Sequence, residues 1–393
     1  MDLYFSKNHC DENAIVVDDM FLTKDMPTTA GSKMLEGYMS LFDAEVVERL
    51  TAKGYKIAGK AAVGEFALDV LGETSFLGAC EKDCALTSAA AEIVKEKEAK
   101  AALVLDVNGS PRRGAAQKDL INLKPTYGTV SRFGTVSVAC SGECVGVTAR
   151  CAADCKEILD VISGHDDKDG TSLSDEIIAK TKEVKEIKKV AVLDTLCKKA
   201  DGEVNEKVNT FISLLNANGV AVERIENEII SVSRAAWNVL MSAEACNNVS
   251  RFDGVKYGYR TKNFTNIDEL YTGSRTEAFG KLIKKTILFG SETLSTENYF
   301  PVYDKAMRTR RVVVEEFNKL FESYDAVLLP AASTLKFDKD INETLAFEEN
   351  VFTAPATLAG LPALTIKGVQ VIGKAFGEGS LISLADTLEK EAK

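Results

Sequence analysis

Apolar and polar positions along the 393-residue chain alternate between two periods. DAEVVERLTAKG, from Asp43, has helical apolar spacing, an Asp at the expected N-cap and Gly54 after the last turn, and it runs into the strand-like YKIAGKA. The unit recurs. TSAAAEIVKEKEAKA reads as a helix before the apolar strand AALVLDV, CAADCKEILDVIS as a helix before KKVAVLD, and VNEKVNTFISLLNANG as a helix stopped by Gly219 before VAVERI. Such alternation predicts an α/β fold, a largely parallel or mixed sheet with helices laid on it. From about 231 to 324 strand character is nearly absent and helical runs dominate, notably YDKAMRTRRVVVEEFNKLFESYD, which predicts a helical elaboration of the same domain. Strands return at AVLLPA and VQVIGKA, and ISLADTLEKEAK closes the chain as a helix. With no repeat, linker or low-complexity tract, residues 1–393 read as one domain.

Composition narrows the class. The chain is 45% hydrophobic with mean hydropathy −0.05, as expected of a soluble globular protein. No stretch reaches the roughly 20 apolar residues of a membrane helix, and MDLYFSKNHCDENA lacks the basic and apolar regions of a signal peptide, so the expected location is the cytoplasm, away from membranes. Nine scattered cysteines fit reduced thiols. Cys80/Cys84, Cys140/Cys144 and Cys151/Cys155 fall at i, i+4, but zinc sites have tighter pairs with histidine support and the histidines are only His9 and His165, so buried thiols and no metal or cofactor are expected. A net charge of −11 opposes direct contact with a nucleic-acid backbone. Arg308, Arg310 and Arg311 read as one polar helix face.

The chemistry is concentrated around LINLKPTYGTVSRFG at 120–134. This segment, with TTAGSKMLEGY, IAGKAAVGEFAL, ISGHDDKDGTS, RFDGVKYGYR, APATLAGLPALTI and VQVIGKAF, resembles the amidase-signature family and, within it, the glutaminase (A-type) component of the tRNA-dependent amidotransferases. The resemblance implies an amidase-signature fold, a mixed central sheet with helices on both faces. It also implies a relay in which a buried neutral lysine deprotonates a bridging serine, which activates a serine nucleophile beside glycine-rich oxyanion amides.

In ungapped register the nucleophile motif falls on LDVNGSPRRGAA, with Ser110 at the nucleophile and Asp106, Gly109 and Arg112 retained, but with Val107-Asn108 for Thr-Gly and Pro111 for the isoleucine. The bridging-serine motif falls on CALTSAA, placing Leu86 at the serine, Thr87 beside it, and Cys84, Ala85, Ser88 and Ala89 where glycines belong. A one-residue shift would bring Thr87 or Ser88 to the bridge. The lysine strand falls on IVVDDMFLTKDMPTTAGSKML, so the catalytic lysine becomes Asp18, followed by Asp19, and Lys24 matches a second, non-catalytic lysine.

Gly109, Arg112 and Arg310 are the expected substrate-binding positions, Arg310 matching an arginine that helps hold glutamine in the A-type relatives. The leading expectation is a non-catalytic homologue that binds or assembles with a B-subunit-like protein, retaining at most a glutamine-like ligand. An active amidase would need Ser110 with Asp18 as base through Thr87, and an aspartate near its ordinary pKa of about 4 is a far weaker base than a neutral lysine. Bland roles stand beside these: Ser110 as a helix cap, Asp18 paired with Lys24 or Lys60, and Leu86 in the core.

Overall fold

The computed structural model describes residues 2–8, 13–72, 74–78, 86–338 and 347–390. Its framework is an 11-stranded sheet: β1 (Tyr4–Lys7), β2 (Ile15–Asp18), β3 (Ile57–Ala61), β4 (Ala101–Asp106), β5 (Ile121–Lys124), β6 (Cys144–Ala149), β7 (Lys189–Leu193), β8 (Ala221–Ile225), β9 (Ala326–Pro330), β10 (Ala363–Ile366) and β11 (Val369–Gly373). The order across the sheet is β1-β3-β2-β4-β6-β5-β10-β11-β9-β7-β8. Pairing is parallel for β3/β2/β4 and for β9/β7/β8, and antiparallel through the centre, so the sheet is mixed as the sequence pattern predicts.

The apolar strands are apolar because both faces are covered. In β4, Ala101, Leu103 and Leu105 join the large core while Ala102 and Val104 join a second cluster on the opposite face; Ile15 and Val17 divide from Val16 in β2 in the same way. The second face is closed by α2 (Ala89–Lys95) and α3 (Ser110–Lys118), and the first by helices that include α1 (Glu45–Ala52) and α4 (Ala152–Ile162). Strand side chains alternate in direction, so a strand buried on both sides has no polar period left to show.

Two local readings differ from the structure. Helix α1 begins at Glu45 with Ala44 as an N-cap that makes no side-chain bond, because the Asp43 carboxylate instead accepts from the Lys24 amide at 2.7 Å and pairs with its ammonium at 3.1 Å. Helix α2 stops at Lys95, and Lys97 takes a left-handed φ of 61°, so KEKEA is a turn into β4.

After α5 (Gly202–Ala217), the chain between β8 and β9 carries α6 (Ser233–Asn248), α7 (Ile267–Ala278), α8 (Lys281–Thr293) and α9 (Lys305–Ser323); α10 (Asn350–Ala359) and α11 (Glu378–Lys390) follow. Helices α6 and α8 cross where Gly290 faces Ser242, so closely that a Cβ at 290 would overlap the Ser242 carbonyl oxygen and crowd Cys246. Gly290→Ala gains about 1 kcal/mol of helix propensity, but the added methyl must push two backbones apart, which costs about 1–3 kcal/mol and falls at the upper end here. Denaturant unfolding will show the variant to be less stable, and a gain in stability would contradict the close crossing.

Candidate functional site

The C-terminal end of β4 delivers Asp106 to a turn that opens α3, and the turn is shaped by Gly109. Its φ of 79° is left-handed, and a Cβ there would overlap the Thr353 side chain on α10, so only glycine fits. Gly109 is the N-cap of α3, which puts Ser110 at the first helical position and not at the cap. Asp18 ends β2, the parallel neighbour of β4, and Leu86 and Thr87 lead into α2.

These elements bring Asp18, Leu86, Thr87 and Ser110 to the lining of one small cavity, together with Asp69. Its volume is about 20 Å³, room for about one water molecule. Gly109, Arg112 and Arg310 are not in this lining. Cys84 and Ala85 lie outside the described residues, as do His9 and Cys80.

Apart from Ser110, the polar side chains at 18, 87 and 88 are committed elsewhere. Among the described residues Ser110 Oγ has no hydrogen-bond partner. Thr87 donates from Oγ1 to Gln117 Oε1 at 2.9 Å, its amide reaches the same oxygen at 3.1 Å, and Ser88 accepts from the Ala91 amide as the cap of α2. Leu86 is buried against Ala62 and Ala89. Asp18 pairs with neither Lys24 nor Lys60: its Oδ2 accepts from the Leu105 amide at 3.0 Å, Lys24 belongs to Asp43, and the buried Lys60 lies 3.6 Å from Asp19.

Burial corrects the assumption of an ordinary aspartate at 18. Loss of solvent pushes the Asp18 carboxyl up to about 8, with the neighbouring Asp19 adding to the rise. At neutral pH the acid is mostly protonated and is a donor rather than a base. Burial likewise pushes Asp19 and Asp69 up, raises Glu65 to about 7 and lowers Lys60 to about 8.

Behind the cavity, Asn108 is buried with its side chain used in full. Its amide nitrogen donates to the Leu68 carbonyl and lies 3.1 Å from Met241 Sδ, while Oδ1 accepts from Trp237 Nε1 at 2.8 Å and Asn350 Nδ2 at 3.3 Å. Arg113, also buried, donates to the Asn108 and Val70 carbonyls and to Thr353 Oγ1.

Arg112 gives all five of its donors to protein acceptors: Asp106 through Nε (2.7 Å) and Nη2 (2.9 Å), Thr353 O and Gln370 Oε1 through Nη1, and Thr357 Oγ1 through Nη2. Burial would raise the Asp106 carboxyl, but the Arg112 guanidinium beside it holds it below the usual range. No donor of Arg112 is left for a ligand. Arg310, on α9, spends a donor on the Ser141 carbonyl at 2.9 Å, and Ser141 is itself held by Glu244. Asn108 as a filler and Trp237 carried no sequence signal of these roles, since their partners stand far away in the chain, and Asp69, whose carboxylate accepts from the Thr74 amide and hydroxyl, was not singled out.

The amidase family model matches residues 14–382. The chain belongs to this family. Among its relatives, the glutamyl-tRNA(Gln) amidotransferase A-subunit of Lachnoclostridium phytofermentans is 35% identical over 96% of this chain and 82% of the relative, and the protein of that name from Thermotoga maritima is 34% identical over 96% and 84%. The crystal structure of the Thermotoga protein superposes with a TM-score of 0.81 at 29% identity, covering 99% of this chain and 87% of that one. Allophanate hydrolase of Kluyveromyces lactis shares the fold alone, with a TM-score of 0.82 at 21% identity over 96% of this chain and 61% of that one.

Among the described residues no three His, Cys, Asp or Glu side chains cluster as metal ligands, and no helix is long and apolar enough to cross a membrane. Burial raises the Cys144 and Cys155 thiols and lifts Cys197 to about 11.

The protonation of Asp18 can be read in stability. Its folded pKa of about 8 lies above its ordinary value of 3.8, so the folded state binds the proton more tightly, and the contribution is full below about pH 4 and lost as pH rises through 8. Asp18→Asn cannot ionise. The fall in unfolding free energy between pH 5 and 8.5 should shrink by about 2 kcal/mol or more in this variant, since each tenfold difference in proton affinity is worth about 1.4 kcal/mol. An unchanged fall would mean that Asp18 is already ionised at neutral pH.

Proposed function

We propose that this chain is an A-type amidotransferase member of the amidase family that no longer catalyses and serves as a binding or assembly component of an amidotransferase-type complex. The observation that carries the reading is the state of Ser110: its hydroxyl has no base within hydrogen-bond reach among the described residues, and on the ungapped register it is the buried Leu86 that falls at the relay position. A serine hydroxyl without an activating base keeps an alcohol's pKa and is a poor nucleophile at neutral pH.

Homology supports the amidotransferase setting, with relatives named as subunits of glutamyl-tRNA(Gln) amidotransferase matching almost the whole chain. A scaffold kept at 35% identity while the relay positions have changed fits a role in shape and contact. The partner of choice is a B-subunit-like protein, and the net charge of −11 leaves RNA contact to that partner.

One observation favours the active alternative: Asp18, Thr87 and Ser110 do line the same cavity. An Asp18 carboxylate formed above pH 8 would be a stronger base than an ordinary aspartate. Against it, Thr87 is turned to Gln117 and Asp18 to Leu105.

A fluorophosphonate probe distinguishes the two. The chain should not be labelled at pH 7, and Ser110→Ala should look the same; labelling that disappears in Ser110→Ala would establish the active reading. Placing Lys at 18 and Ser at 86 together should restore little activity, less than about a thousandth of a competent glutaminase, because the Asn108 loop stays filled. Strong ammonia release by the double variant would show that only the relay had been lost.

A further inference from the structure

We infer that the groove between α6 and α9 is the docking site for an amphipathic helix of a partner protein, one with an apolar face and carboxylates along its edge. The inference rests on the assembly reading for the source of that helix, and on the structure for the place and the chemistry.

The groove has a volume of about 600 Å³ and two helical walls. One runs from Ile229 and Val232, on the short helical turn before α6, to Ala236 and Val239 on α6; the other runs from Val302, on the helical turn before α9, to Lys305, Thr309 and Val312 on α9. Spacings of three and four residues on each side make two parallel stripes, the pattern by which helices receive a third helix. From Ile229 to Val239 a stripe runs about 15 Å at 1.5 Å per residue, so it seats about three turns.

Several of the apolar groups are exposed. Ile229 is 41% exposed, Val232 43% and Val312 47%, and Phe300 beside the groove is 71% exposed. Such a concentration on one concave surface is what marks an interaction site on a soluble domain.

Charge selects the occupant. In a chain of net charge −11, the charged residues lining this groove are both cationic, Lys305 and Arg308. Lys305 has no ion-pair partner among the described residues. Arg308 is held only by Asp304 at 2.9 Å in an exposed i, i+4 pair, which is weak enough to exchange for a partner's carboxylate. A membrane surface fits less well, because the groove is concave and the acidic chain is repelled by anionic lipid.

Co-expression with the B-subunit-like protein of the same organism tests the groove. The variant carrying Val232→Glu and Val312→Glu changes only exposed positions, and an unchanged unfolding midpoint will confirm that it folds. Wild type should co-elute with the partner and the variant should bind at least tenfold more weakly, while Lys305→Glu with Arg308→Glu should weaken binding and reduce its salt dependence. Equal binding by wild type and the Val232/Val312 variant would overturn the groove and leave the assembly reading standing.

Failure of wild type to bind would remove the assembly reading, and the groove would then be decided by a synthetic amphipathic peptide of about 16 residues with leucines at helical spacing and flanking glutamates. Saturable binding lost in the variant supports the site; no binding overturns it. Self-association of wild type that the variant abolishes would identify a second copy as the occupant, and variant-sensitive binding to anionic vesicles would identify lipid, each overturning the proposal.

Discussion

The buried pair of Arg112 and Asp106 holds the centre of the molecule. A guanidinium and a carboxylate both removed from solvent are stable only when every donor and lone pair is used, and losing one partner strands the other at a cost of about 3–5 kcal/mol. Arg112 meets the condition by reaching from α3 to β4, to Thr353 and Thr357 on α10, and to Gln370 on β11. The turn that carries Ser110 is therefore pinned at both ends: by this network on one side and by the glycine-only approach of Gly109 to Thr353 on the other. The same turn ties the sheet to α3 and α10.

The residues around this turn are held by packing as well as by hydrogen bonds. Asp18 ends β2, between β3 and β4, as a buried acid whose carboxyl the loss of solvent pushes up to about 8, which favours the uncharged form there. Leu86 adds apolar contact. Asn108 fills space that a glycine leaves open and finds partners on Leu68, Trp237 and Asn350. Each of these side chains is accommodated by packing, and on the proposed reading each stands where a relay that acts only as a unit would need another residue.

The sequence carried much of this. Periodicity located the strands, since AALVLDV and AVLLPA can only be buried on both faces, and ungapped register brought Asp18, Leu86, Thr87 and Ser110 to positions that the fold joins in one cavity. Three things were not legible. The pKa of Asp18 depends on desolvation by residues from several strands, which no local pattern reports. The saturation of Arg112 depends on acceptors more than 240 positions away. The cap at Asp43 was a sound local reading that a long-range contact overrode, because Lys24 claims the carboxylate.

The central claim is that Ser110 has no working base, and the most direct measurement is ammonia release from glutamine by wild type and Ser110→Ala, each with the B-subunit-like protein present, over the range from neutral to alkaline pH. The account predicts the same background rate for both proteins at every pH, because an ionised Asp18 still has no hydroxyl free to carry a proton from Ser110: Thr87 is bonded to Gln117 and Leu86 has none. Release that requires Ser110 would contradict it, and loss of that release in Asp18→Asn would identify Asp18 as the base rather than Lys60, which burial also brings to about 8.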